Sequence, residues 1–139
     1  MRAVLDVNVI VSGVLSRSGT SARVLSAWSQ GAFELIVSPK LLAELVRVLE
    51  YPKIREPVLP DEASSLVDWL ERSATLIDDP TDPPPIASPD PDDDYLIGLA
   101  AHTQAMLVTG DDHLLGLEAD VPIVSPADFR ALLDQPPGT

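Results

Sequence analysis

Four acidic residues lie within or next to apolar segments of this sequence, and their carboxylates are the groups best suited to carry out chemistry. They are Asp6, Glu44, Asp93 and Asp111. Carboxylate oxygens are the ligands that Mg²⁺ and Mn²⁺ prefer, and two such ions can activate a water molecule and stabilise the leaving oxygen of a phosphodiester. The sequence therefore indicates metal-assisted phosphoryl chemistry, provided that these four positions meet in the fold.

Taken singly, most of these acids also have a structural explanation. Glu44 fits the border of an apolar helix face, and Asp111 fits the N-cap of the helix that follows it. Asp6 is different, because aspartate is disfavoured in strands and costly to bury without a partner. The convergence of all four at one edge of a sheet is therefore what favours function over structure.

The elements that would position these acids alternate between strand and helix. Apolar runs predict strands over residues 3–10, 33–37, 74–77, 105–109 and 121–124. Helical spacing and Ser-Pro or Asp starts predict helices over residues 20–30, 40–51, 61–73, 95–101, 111–117 and 126–133. This alternation predicts an α/β fold with a mostly parallel sheet and helices on both faces, with ligands at the carboxyl ends of the strands.

Length and composition predict a single domain. The chain has 139 residues, and we expect one domain over residues 1–134, with a flexible tail at 135–139. Residues 78–94 contain seven Asp and six Pro, which predicts an exposed loop over 78–91 that ends in a helix. No stretch approaches the ~20 apolar residues of a membrane span. We therefore expect a soluble, cytoplasmic protein.

Charge limits the function further. Nine Lys and Arg against 22 Asp and Glu give a net charge of −13, which argues against a broad basic surface for nucleic acid. The absence of cysteine excludes thiolate metal sites and cysteine nucleophiles. Any chemistry on RNA or DNA must then be local and assisted by cations.

Four motifs, in order, resemble the PIN-domain family, as found in the toxins of VapBC-type toxin–antitoxin pairs. They are Asp6-Val7-Asn8, the Ser-Pro-x-x-x-x-Glu pattern of residues 38–44, the acidic run and apolar helix of residues 90–100, and Val-Thr-Gly-Asp-Asp-x-Leu-Leu over residues 108–115. The resemblance covers residues 3–133, and the set of four is specific although each motif alone is not. Val7 departs from the pattern, since many members carry threonine there.

The resemblance implies a Mg²⁺- or Mn²⁺-dependent endoribonuclease on a Rossmann-like, three-layer fold with about five strands. It also implies an RNA substrate, a small antitoxin as partner and, commonly, a homodimer. Asp6, Glu44, Asp93 and Asp111 match the acidic quartet that binds metal. Asn8 matches the polar residue that follows the first acid in the family, and we expect it to position that acid or a ligand water. We expect Thr109 to hydrogen-bond the site, and Asp92 and Asp94 flank Asp93 as alternatives at the third acidic position.

Basic residues for binding substrate are few, since none occurs between Arg72 and Arg130. Candidates for phosphate contacts are Arg17, Arg23, Lys40, Arg47, Lys53 and Arg55. We therefore expect weak intrinsic RNA affinity.

Other functions remain to be weighed. A haloacid-dehalogenase-type phosphatase needs a second acid where Asn8 stands, and a response-regulator receiver needs a lysine after a late strand, whereas no lysine follows Lys53. The strongest alternative of a different class is a catalytically weak or inactive PIN-like module that acts by binding a protein partner. RNA cleavage that depends on Asp6 distinguishes the two.

Overall fold

A computed structural model describes residues 1–85, 93–117 and 121–134 of the chain. Five strands form one sheet in the order β3-β2-β1-β4-β5, and every neighbouring pair is parallel. The strands are β1 (Arg2–Leu5), β2 (Glu34–Val37), β3 (Thr75–Leu76), β4 (Met106–Val108) and β5 (Ile123–Val124). Since all of them point the same way, their carboxyl ends meet at one edge of the sheet.

Eight helices connect and flank these strands within the described residues. They are α1 (Val7–Leu15), α2 (Thr20–Ser29), α3 (Pro39–Leu49), α4 (Pro52–Arg55), α5 (Pro60–Ser73), α6 (Asp94–Thr103), α7 (Asp112–Leu115) and α8 (Pro126–Leu133). None of them is long and apolar enough to cross a membrane. The α/β class and the parallel sheet of five strands confirm the predicted fold.

The predicted first strand was wrong over its second half. β1 ends at Leu5, and residues 7–15 form a helix instead of continuing the strand. Asp6 is the N-cap of this helix, because its side chain accepts the backbone N–H of Asn8. Val and Ile favour strands by local propensity, but here burial against the rest of the core outweighs that preference.

Gly13 allows α1 to pack closely on α2. A Cβ atom at this position would lie 2.5 Å from Cδ1 of Leu25 and 3.1 Å from the carbonyl oxygen of Ser21. A larger residue here would require the Leu25 side chain to move and would press against the Ser21 carbonyl, so glycine favours the close approach of the two helices. This contact fixes the helix that begins at Asp6.

Two connections differ in kind from the rest. Between α3 and α5, residues 52–55 form the short helix α4. After β3, residues 78–85 are mostly exposed, yet the Asp79 carboxylate accepts the backbone N–H of Lys40 at the start of α3, at 3.0 Å. The rest of the predicted 78–91 loop and the 135–139 tail lie outside the described residues.

The helix starts beside the sheet edge follow from sequence. Ser38 caps α3 by accepting the N–H of Leu41 at 3.2 Å, and proline follows it at the first helical position. Ser125-Pro126 begins α8 in the same way. On α3 the apolar face is buried through Leu41, Leu42, Leu45 and Leu49, which leaves Glu44 at its border.

Candidate functional site

Asp6 lies at the carboxyl end of the central strand of the sheet. Its backbone N–H donates to the carbonyl of Val108 at 2.9 Å, which extends the pairing of β1 and β4 by one residue. Its side chain is only 7% exposed. The ion pairs among the described residues are Arg2–Glu34, Arg47–Glu44 and Arg72–Asp68, so none of them neutralises this buried acid.

Hydrogen bonds hold both oxygens of the Asp6 carboxylate. The Thr109 hydroxyl donates to Oδ2 at 2.8 Å, and the Asn8 backbone N–H donates to Oδ1 at 3.2 Å. Thr109 is fully buried and its hydroxyl also accepts the Asp111 backbone N–H, at 3.1 Å. Thr109 therefore joins the ends of β1 and β4 and fixes the Asp6 carboxylate in one orientation.

Burial raises the pKa of Asp6 above its ordinary value of 3.8. The hydrogen bonds from Thr109 and Asn8 lower the pKa, and the nearby negative charge of Asp111 raises it. The net effect is upward, so the site disfavours the charged carboxylate that it nevertheless orients. A buried acid in this state is typical of functional sites.

A cleft of about 460 Å³ opens beside Asp6 between α3 and the start of α6. Three of the four predicted metal ligands line it, namely Asp6, Glu44 and Asp93. Its other polar or charged lining residues are Asn8, Lys40, Arg47 and Tyr95. The structure thus brings together acids that are up to 87 positions apart in the sequence, since 93 − 6 = 87.

The fourth acid, Asp111, lies in an adjoining cleft of about 420 Å³. Asp6 and Asn8 line both clefts, so they form the boundary between them. The Asp111 side chain caps α7 by accepting the His113 backbone N–H at 2.8 Å, as its structural explanation predicted. Asp111 is therefore both a helix cap and the acidic neighbour whose charge acts on Asp6.

Glu44 is paired with a cation on its own helix. Its carboxylate accepts hydrogen bonds from Nε of Arg47, at 3.1 Å, and from Nη2 of the same residue. Arg47 Nη1 in turn donates to the Tyr51 hydroxyl at 2.7 Å. Glu44 must leave Arg47 before its oxygens can all serve another ligand.

Tyr95 faces the acids of the cleft. Burial raises the pKa of its hydroxyl far above the ordinary value, and the charges of Asp6, Glu44 and Asp93 add to the rise. The hydroxyl therefore keeps its proton throughout the physiological pH range. Tyr95 was not among the predicted site residues, although its position directly after an acidic run was an available signal.

The remaining predicted residues differ in where they lie. Asp94 is the first residue of α6 and is half-buried, but it is not among the residues that line the cleft. Asp92 lies outside the described residues. Asp93 is thus the acid of this run that lines the cleft.

The carboxylates surround the clefts without converging on one point. Within residues 1–85, 93–117 and 121–134, no three Asp, Glu or His side chains are grouped closely enough to hold a metal ion together. The donor atoms are nonetheless all hard oxygens, and Asp6 is buried with no ion-pair partner among the described residues. This donor chemistry suits a hard divalent cation.

Comparison with known proteins gives one family and one fold. The family model described as "PIN domain" matches residues 2–113. Among solved structures, the chain is similar to a chain in the crystal structure of VapBC2 from Rickettsia felis bound to a DNA fragment from their promoter. That match has a TM-score of 0.62 and 16% identity, and it covers 90% of this chain and 98% of the other. No curated protein sequence matches.

Proposed function

Since this chain belongs to the PIN domain family, we propose that it is a Mg²⁺- or Mn²⁺-dependent endoribonuclease that hydrolyses RNA phosphodiester bonds. The observation that carries the proposal is the buried Asp6, oriented by Thr109 and placed in a cleft with Glu44 and Asp93. A buried carboxylate without an ion-pair partner is costly unless a ligand compensates for it. A divalent cation is the ligand that an all-oxygen set of acids would take.

The residues proposed to hold the cation are Asp6, Glu44, Asp93 and Asp111. When bound, such an ion supplies an activated water molecule and stabilises the leaving oxygen of the phosphodiester. Thr109 and the Asn8 backbone orient Asp6, so its side chain pays little conformational entropy on binding. Glu44 joins the set once it has released Arg47.

Cleavage of RNA by matched variants tests the proposal. We compare the wild-type protein with Asp6→Asn and with Asp68→Asn. Asp68 is an exposed acid on α5 that lines neither cleft, so its substitution is the control. Each is assayed with Mg²⁺, Mn²⁺ or EDTA. We expect metal-dependent cleavage by the wild type and Asp68→Asn, and its loss in Asp6→Asn. Equal cleavage by all three would assign it to a contaminant.

We further propose that the chain is a VapC-like toxin that acts on RNA in the cytoplasm and is inhibited by a small antitoxin. The likeness to a chain of the VapBC2 complex supports a protein partner of this kind. Homodimer formation is part of the same proposal. Expression of the chain alone should arrest growth, whereas Asp6→Asn should not, and the product of a small adjacent gene should restore growth. Unaffected growth at high expression would refute the toxin role.

Two observations favour a second candidate function. Glu44 is engaged by Arg47, and the described acids do not converge, as expected for a module that keeps the fold but works through protein binding. In that case no RNA should be cleaved with either ion. Isothermal titration of Mn²⁺ into the wild type and Asp6→Asn would then show equal and negligible binding.

A further inference from the structure

Substrate binding poses a problem that the acidic cleft alone does not solve. The chain carries a net charge of −13, and three acidic residues line the cleft that a polyanionic substrate would enter. RNA approaches such a surface only if a cation meets its phosphates. The location of the cations therefore decides where RNA can lie.

Of the six basic residues that the sequence offered for phosphate contacts, two line the cleft. These are Lys40 and Arg47. Arg47 is already hydrogen-bonded to Glu44 and Tyr51. Lys40 takes part in none of the ion pairs found among the described residues.

The structure holds Lys40 in place from two sides. Its Nζ lies 4.8 Å from the centre of the Tyr95 ring, within the range of a cation–π interaction. Its backbone N–H donates to Asp79 Oδ2 at 3.0 Å. The ammonium is thus kept at the wall of the cleft while remaining exposed to solvent.

At the start of α3, the Lys40 ammonium is the group available to bind an anion. The positive end of the helix dipole lies here, which favours a phosphate. The backbone N–H groups of Lys40 and Leu41 are already taken by Asp79 and Ser38. An incoming phosphate must therefore be met by the Lys40 ammonium rather than by these two N–H groups.

We propose that Lys40 binds an RNA phosphate at the α3 side of the cleft and that the ring of Tyr95 positions its ammonium. This inference rests on the proposed nuclease function and names the substrate contact of that site. Lys40 contacts substrate directly, whereas Tyr95 is a positioning residue that acts through Lys40. The phosphate backbone is the group recognised, so the contact is independent of base sequence.

The test measures RNA binding separately from cleavage. A fluorescein-labelled single-stranded RNA is titrated with protein carrying Asp6→Asn, at constant Mg²⁺ and at several KCl concentrations, and anisotropy gives the Kd. In this background we compare Lys40→Gln and Lys40→Arg with Arg72→Gln. Arg72 is exposed on α5, does not line the cleft and is not among the candidates for phosphate contacts, so it is a control for the loss of one positive charge.

Lys40→Gln should weaken binding by about 3- to 10-fold. It should also reduce the slope of log K against log salt by about 0.7, the value for one contact to a single strand. Lys40→Arg and Arg72→Gln should bind like the parent. Equal Kd and equal slope for Lys40→Gln and Arg72→Gln would overturn the inference, as would the absence of any RNA binding by the parent.

A double-mutant cycle tests the positioning role of Tyr95. Tyr95→Leu should weaken binding when Lys40 is present and have no further effect in Lys40→Gln, whereas Tyr95→Phe keeps the ring face and should bind like the parent. Equal effects of Tyr95→Leu with and without Lys40 would refute the positioning role. If RNA affinity does not respond to the Lys40 and Tyr95 substitutions while cleavage still depends on Asp6, this inference alone is refuted. If cleavage does not depend on Asp6, the proposed function is refuted.

Discussion

Thr109 is the residue through which the site and the stability of the fold are most directly coupled. Thr109→Val keeps the shape of the side chain but removes the hydroxyl that donates to Asp6 at 2.8 Å and accepts from the Asp111 N–H at 3.1 Å. Thr109 is fully buried and Asp6 is 7% exposed, so water has little access to Oδ2 of Asp6, which loses its hydrogen bond. The Asp111 N–H is only partly buried, so the loss of its bond costs less.

The magnitude follows from these two bonds. A hydrogen bond to a charged group contributes about 1.5–3 kcal/mol and a neutral one about 1 kcal/mol, so Thr109→Val should lower the free energy of unfolding by about 2–4 kcal/mol. Domains of this kind have total stabilities of about 5–15 kcal/mol, so the loss is large. The substitution should also raise the pKa of Asp6 further, because the Thr109 hydrogen bond lowers it.

Urea denaturation in EDTA measures this loss without interference from metal binding. The two tryptophans, Trp28 and Trp69, stack with their ring centres 4.5 Å apart, so their fluorescence should report the loss of tertiary packing. Thr109→Ser is the matched control, because it keeps the hydroxyl and should lose only about 1 kcal/mol for one methyl group. If Thr109→Val were as stable as Thr109→Ser, the hydroxyl would not carry the contribution argued here.

Two further predictions concern the charges of the site. Because burial raises the folded-state pKa of Asp6, its favourable contribution is complete below pH 3.8 and is lost as the pH rises through the raised value. In EDTA, the unfolding free energy of the wild type should therefore fall relative to that of Asp6→Asn as the pH rises from 3.8. If the unfolding free energies of the two proteins changed in parallel with pH, this prediction would be contradicted. Arg47→Gln should change stability by less than about 1 kcal/mol, because the Glu44 pair is largely exposed. Because it releases Glu44, Arg47→Gln should lower the Mn²⁺ concentration needed for half-maximal cleavage, and Arg72→Gln is the control. If this Mn²⁺ concentration were unchanged, Arg47 would not compete with the cation for Glu44.

Periodicity and capping signals predicted most of the fold. The Ser38-Pro39 start and the apolar spacing of α3 were read correctly, because both are local properties of the chain. Residues 7–10 were wrongly predicted as strand, since β-branched residues favour strands locally. In the fold they belong to α1, which is largely buried and packs closely on α2 at Gly13. Tertiary packing of this kind leaves no periodic trace in a single sequence.

The candidate site was predictable in part. Strand ends located Asp6 and Asp111 at one sheet edge, because parallel strands must bring their carboxyl ends together. The pairing of Glu44 with Arg47 is consistent with their spacing on one helix. Whether Glu44 pairs with Arg47 or stays unpaired in the cleft depends on side-chain rotamers, which the sequence does not specify. The approach of Lys40 to Tyr95 joins residues 55 positions apart, since 95 − 40 = 55, and depends on how α6 returns to α3.

The dual position of Asp6, at once a strand terminus and the first cap of α1, constrains how this chain can diverge. A descendant that no longer needed the carboxylate would still require an oxygen acceptor there for the Asn8 amide. Asparagine satisfies that requirement nearly as well as aspartate, whereas alanine does not. Relatives that keep this fold without the Asp6 charge should therefore show Asn at this position far more often than a small apolar residue.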